Sequence, residues 1–106
     1  MTKKLKNQWI KALLSGDYVQ GQEMLWNRTE NTYCCLGVLG KVCGVTGLSG
    51  HLKFQYLDPM NKNLKGLKNI PEELRSVGGI AKILAEMNDS GNHTFKQIAE
   101  YIKENL

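Results

Sequence analysis

No stretch of the sequence approaches the roughly 18 consecutive apolar residues that span a bilayer. The opening MTKKLKNQW runs from lysines into a mixed segment, without the apolar core of a secretion signal. The expectation is a cytoplasmic protein with no membrane partner. Cysteine is scarce and badly arranged for either of its structural uses. Cys34, Cys35 and Cys43 are odd in number and two are adjacent, which suits neither a disulfide framework nor the CxxC pairs of a zinc site. Reduced, buried thiols are the default reading.

Other absences narrow the chemistry. The two histidines, His51 and His93, stand far apart in sequence, and no spaced cluster of Cys, His and carboxylate offers a coordination pattern. There is no Walker loop. Gly37, Gly40 and Gly44 lack the spacing of a dinucleotide fingerprint and follow no strand signature. No metal or cofactor is therefore expected. A cysteine nucleophile with histidine is formally available, but the cysteines lie in the most apolar segment, where burial raises the thiol pKa and makes it inert. The expectation is a protein that is not an enzyme. Zinc fingers, ribonucleoprotein motifs and a helix-turn-helix with a basic recognition helix are also missing, which leaves generic nucleic-acid binding as a weaker alternative. No internal repeat or low-complexity linker is present.

What is present describes one domain. The 106 residues are 42% apolar and 23% charged, the composition of a globular chain with a single core. The formal charge of +4 is unevenly spread. Residues 1–11 carry Lys3, Lys4, Lys6 and Lys11 with no acid, and residues 41–68 carry five lysines against Asp58 alone. Such segments attract anionic partners at long range, although most charge runs are simply solvated surface.

Periodicity predicts a mainly α fold, with α+β as the variant: four to five short helices around a central apolar helix over 33–44, with a short hairpin or loop at 17–32. Leu5, Trp9, Ala12 and Leu13 mark a helix over residues 4–15, with Gly16 as a left-handed stop. Tyr33 to Val45, YCCLGVLGKVCGV, is apolar on nearly every side and belongs at the centre. Gly37 and Gly40 cost helix propensity there, about 1 kcal/mol each, so backbone or ligand should approach closely. Asn69-Ile70-Pro71-Glu72 announces a further helix ending by Gly78-Gly79. Ile80, Ile83, Leu84 and Met87 form the next, closed by a polar turn from Asn88 to Asn92. Thr94 and Gln97 make a capping box for the last helix, whose core stripe is Phe95, Ile98, Ala99, Ile102 and Leu106.

Trp9 with Leu13-x-x-Gly16-x-Tyr18-x-Gln20, then Tyr33-Cys34-Cys35-Leu36-Gly37-Val38-Leu39, then Leu84-x-x-Met87-Asn88-Asp89 and Phe95-x-x-Ile98-Ala99-x-x-Ile102 form a distinctive set. In these residues the chain resembles a family of small proteins of tailed bacteriophages and prophages, tagged by YCCLGVL and a terminal ND…FxxIAxxI segment. The resemblance spans most of the chain but not residues 46–79. It implies an accessory role in the cytoplasm of a host cell: interfering with defence, modulating a host enzyme, or handling nucleic acid. Sequestration of a nucleotide immune signal is one such function by analogy.

The binding reading rests on polar and aromatic residues at element junctions. Tyr18, Gln20, Tyr33, Asn88 and Asp89 are candidates to line a pocket in which rings stack on a base and amides bond its edges, with Arg28, Lys41 or Lys53 neutralising phosphate. Each also has a structural explanation, since Asn and Asp turn chains and cap helices, and tyrosines pack with a wet hydroxyl. The competing partner is a host protein docked on an exposed aromatic such as Trp26 or Tyr56. A homo-oligomer is compatible with both, because a small chain gains core by self-association.

Overall fold

The structure is a computed structural model, and it describes residues 1–49 and 55–106. Helix α1, Lys3–Leu14, is opened by the Thr2 hydroxyl, which accepts the Leu5 N–H at 3.1 Å. It ends where Gly16 turns left-handed at φ +81°. Its apolar side packs most extensively on the C-terminal helix and next on the central one. Trp9 and Leu13 are buried there, and the Trp9 indole N–H donates to the Cys35 carbonyl at 3.0 Å. The large ring thus gains its apolar contacts without orphaning its one polar atom.

The expected hairpin or loop at 17–32 is a miniature sheet. Strands β1 (Val19–Gln20), β2 (Trp26–Asn27) and β3 (Thr32–Tyr33) lie in the order β1-β3-β2. The β2–β3 pair is antiparallel, with Trp26 opposite Tyr33, while β1 runs parallel to β3 with Gln20 opposite Tyr33. Asn31 adopts φ +54° in the connecting turn, and its side chain accepts the Trp26 indole N–H at 3.0 Å.

The central helix is shorter than its apolar run. Tyr33 completes β3 and Cys34 serves as N-cap, so α2 covers Cys35–Val42. Its buried residues run without a break from Cys35 to Gly40. A Cβ on Gly37 would collide with the Leu25 backbone carbonyl, which makes glycine the residue that lets the β2 segment lie directly on the helix. Beyond α2 the chain makes an excursion closed by an antiparallel bridge, Thr46 to Lys65, with backbone bonds of 3.0 and 3.1 Å.

Two sequence expectations need correction. No α-helix forms between Asn69 and Gly78. The segment instead makes two short 3-10 turns, Leu67–Asn69 and Glu72–Leu74. Proline at 71 disfavours helical backbone at Ile70, which is extended at φ −80°, ψ +130°, and the segment buries only Ile70 and Leu74 as anchors. The following helix is rotated and longer than expected. Helix α3 spans Gly79–Asp89 and buries Ala81, Leu84, Ala85 and Asn88, leaving Ile83 44% exposed. The small alanines admit close packing, so they face the core while Ile83 points outward.

Helix α4, Phe95–Asn105, begins as its capping box predicts: the Gln97 N–H donates to Thr94 Oγ1 at 3.2 Å and the Thr94 N–H to Gln97 Oε1 at 2.8 Å. Phe95, Ile98, Ala99 and Ile102 are buried, and Leu106 packs at the edge of the core. The result is a compact single domain, mainly α with a small β component, and α2 is its spine. Among the described residues no helix is long and apolar enough to cross a membrane.

Candidate functional site

The polar junction lies where β1, the start of α2 and the end of α3 meet. Asn88 occupies the last turn of α3 and continues the buried stripe of Ala81, Leu84 and Ala85, so its amide is carried into the interior. Every hydrogen-bonding position of that amide is used. Its Oδ1 accepts the Cys35 backbone N–H at 3.2 Å and the Gln20 Nε2 donor at 3.1 Å. Its Nδ2 donates to the Gly21 carbonyl at 2.8 Å and to Asp89 Oδ1 at 3.2 Å. Gln20 also donates to the His93 carbonyl at 2.8 Å, and Asp89 Oδ1 accepts the Glu23 N–H at 2.8 Å. Glu23 sits at φ +67°, a left-handed conformation in which this bond holds it.

The aromatic candidates form a stack beside this network. Tyr33 is buried, meets Tyr18 edge-to-face at 5.1 Å, and lies parallel to Trp26 at 5.9 Å. Burial, then the neighbouring Tyr18, raise the Tyr33 pKa above its ordinary value. Trp26 therefore already occupies one face of Tyr33, as a stacked base would, and Tyr18 crowds the same ring.

Gln20, Asn88 and Asp89 are thus brought together, and Tyr18 and Tyr33 are brought against each other, but the set does not line one cavity. The open cleft beside the junction has a volume of about 510 Å³ and is bounded by Gln20, Gly21, Glu23, Glu30, His93 and Thr94. Tyr18 borders a different hollow of about 290 Å³ beside α1. Arg28 borders a third, of about 340 Å³, with Met24 and Ser49. Lys41 is exposed in the last turn of α2, at the end away from Asn88. Lys53 lies outside the described residues.

Among the described residues no Lys or Arg borders the junction cleft, which carries Glu23 and Glu30 instead. Neither carboxylate has an ion-pair partner among the described residues. Glu23, Glu30 and His93 carry no motif that sequence reasoning could have used. Asn88 did carry one, because it falls seven residues after Ala81 on the stripe that holds Leu84 and Ala85.

The thiols are sequestered. Cys34 and Cys35 are fully buried, and burial pushes Cys34 up to about 12 and Cys35 well above its ordinary value. The Cys34 Sγ accepts the Gly37 N–H at 3.4 Å as a helix cap, and the Cys35 thiol donates to the Leu84 carbonyl at 3.6 Å. Cys43 is half-buried and donates to the Asn69 carbonyl at 3.7 Å. Among the described residues no group of His, Cys, Asp and Glu is placed to hold a metal ion.

Residues 1–45, from α1 through the end of α2, are similar to the family model of a domain of unknown function (DUF8296). No curated protein and no solved structure matches the chain.

Proposed function

We propose that this chain is a non-catalytic accessory protein, of the phage counter-defence kind its motifs resemble, and that it acts by docking on a host protein. The observation that carries this reading is the state of the polar junction. The Asn88 amide, the Gln20 amino group and one oxygen of the Asp89 carboxylate are engaged in internal hydrogen bonds, and the cleft beside them presents two glutamates with no ion-pair partner and no cation among the described residues. A nucleotide phosphate entering that cleft would lose its hydration for a repulsive field. The buried thiols supply no accessible nucleophile, which supports a binding role over catalysis.

The test is affinity purification of the tagged full chain from bacterial cells after crosslinking, with mass spectrometry of small molecules released on denaturation run in parallel. A stoichiometric protein partner and no bound nucleotide is the expected result. A stoichiometric nucleotide would overturn the reading in favour of signal sequestration. Homo-oligomers are recorded by native mass spectrometry of the same preparation.

A further inference from the structure

Between α1 and α4 lies a groove that shares no lining residue with the polar junction and that no described side chain fills. Its α1 wall is Ile10 and Leu14, one helical turn apart, and Leu14 is 54% exposed although it is a large apolar side chain. Its α4 floor is Ala99, whose methyl group leaves the space open, and Lys96, Glu100 and Lys103 form the rim. The hollow measures about 250 Å³. That falls below the roughly 300–1,000 Å³ of small-molecule pockets and suits apolar side chains inserted from another chain.

Charge decides which kind of chain. Across α1 and α4, six lysines stand against two glutamates. Lys96 and Lys103 are seven residues apart on one side of α4, a rise of about 10.5 Å along the axis. Lys6 is held against α4 by donating to the Lys103 carbonyl at 2.9 Å, which fixes a further cation beside the groove. A second copy of this chain would bring an equally basic face and meet repulsion. We propose that this groove seats an acidic amphipathic helix of the partner protein, with apolar residues at i and i+4 placed against Leu14 and Ile10 and carboxylates reaching Lys96 and Lys103. The inference rests on the host-protein reading and names the surface that reading uses.

The experiment measures fluorescence anisotropy of a labelled alanine-based helical peptide carrying two leucines at i and i+4 flanked by glutamates. A matched peptide has lysines in place of the glutamates. The full chain should bind the glutamate peptide at least about tenfold more tightly than the lysine peptide, and added salt should weaken that binding. Leu14→Asp should reduce it about tenfold or more with an unchanged far-UV spectrum, because Leu14 is exposed. The double variant Lys96→Glu, Lys103→Glu should reverse the peptide preference.

Equal binding of both peptides, or binding indifferent to Leu14→Asp, would overturn the proposal. So would a native dimer that Leu14→Asp dissolves, or capture by phosphatidylglycerol vesicles without peptide binding. If Leu14→Asp still purifies with a stoichiometric host protein, the groove is wrong and host-protein docking stands. If neither the wild type nor the variant yields a protein partner and a nucleotide is released, the functional reading itself fails.

Discussion

The backbone of Cys35 is held at both ends by buried side chains: Asn88 of α3 accepts its N–H at 3.2 Å, and Trp9 of α1 donates to its carbonyl at 3.0 Å. The first turn of α2 is thereby tied to two helices that lie far from it in sequence. The same Asn88 amide fixes β1 through Gln20 and Gly21, so one side chain links sheet, spine and α3.

Asn88→Ala should lower the unfolding free energy by about 2–4 kcal/mol, because it strands a buried N–H and a carbonyl and leaves a void. Urea denaturation should show a lower midpoint with an unchanged slope. A loss below about 0.5 kcal/mol would mean that water replaces the amide at no cost.

Trp9→Phe keeps most of the buried ring but removes the donor to Cys35. The expected loss is about 1–3 kcal/mol by the same denaturation, additive with a surface change such as Lys4→Ala and coupled to Asn88→Ala through the backbone of Cys35, which both side chains bond.

Gly37→Ala and Gly40→Ala should separate sharply. At Gly37 the new methyl would meet the Leu25 backbone, which cannot move without dismantling β2, so the protein should be poorly folded. At Gly40 it would meet the Leu48 side chain at 2.9 Å, which a rotamer shift relieves, and the gain in helix propensity, about 1 kcal/mol, offsets much of the crowding. Thermal melts of the two variants give the comparison.

Thiol labelling of the native protein should modify Cys43 first and leave Cys34 and Cys35 protected until the chain unfolds. The alkaline side of the stability profile carries the same signature. The folded Cys34 thiol titrates at about 12 against an ordinary 9.0, so its contribution is complete below 9.0 and is lost as pH rises toward 12. In this window the unfolded thiol has already released its proton while the folded one retains it. Cys34→Ala should flatten the fall in stability over that range, and an unchanged slope would show that thiolate forms freely in the fold.

Much of the secondary structure was legible because its signals are local. The Gly16 stop, the Thr94–Gln97 capping box and the α4 stripe depend on residues within a few positions of one another. The stretch from Asn69 to Gly79 misled because proline and acids resemble a helix start, while too few apolar residues follow to anchor one. Ile83 misled because hydrophobicity ranks isoleucine above alanine, whereas packing distance favours alanine. Of the candidate site, Gln20, Asn88 and Asp89 lie together in the structure, but whether their side chains face a ligand or each other depends on partners such as Gly21, Cys35 and His93, which no local pattern names.

The sequence by itself determined a mainly helical single domain, a reduced buried cysteine pair, and an apolar central helix whose glycines invite close approach. Those follow from periodicity, capping chemistry and composition, which act over a turn or two of chain. Only the tertiary structure decided that the YCCL segment enters α2 through a strand, that Asn88 is an interior bond hub, and that Leu14 borders an open basic groove. These depend on contacts between residues tens of positions apart, and such contacts are set by how the helices pack.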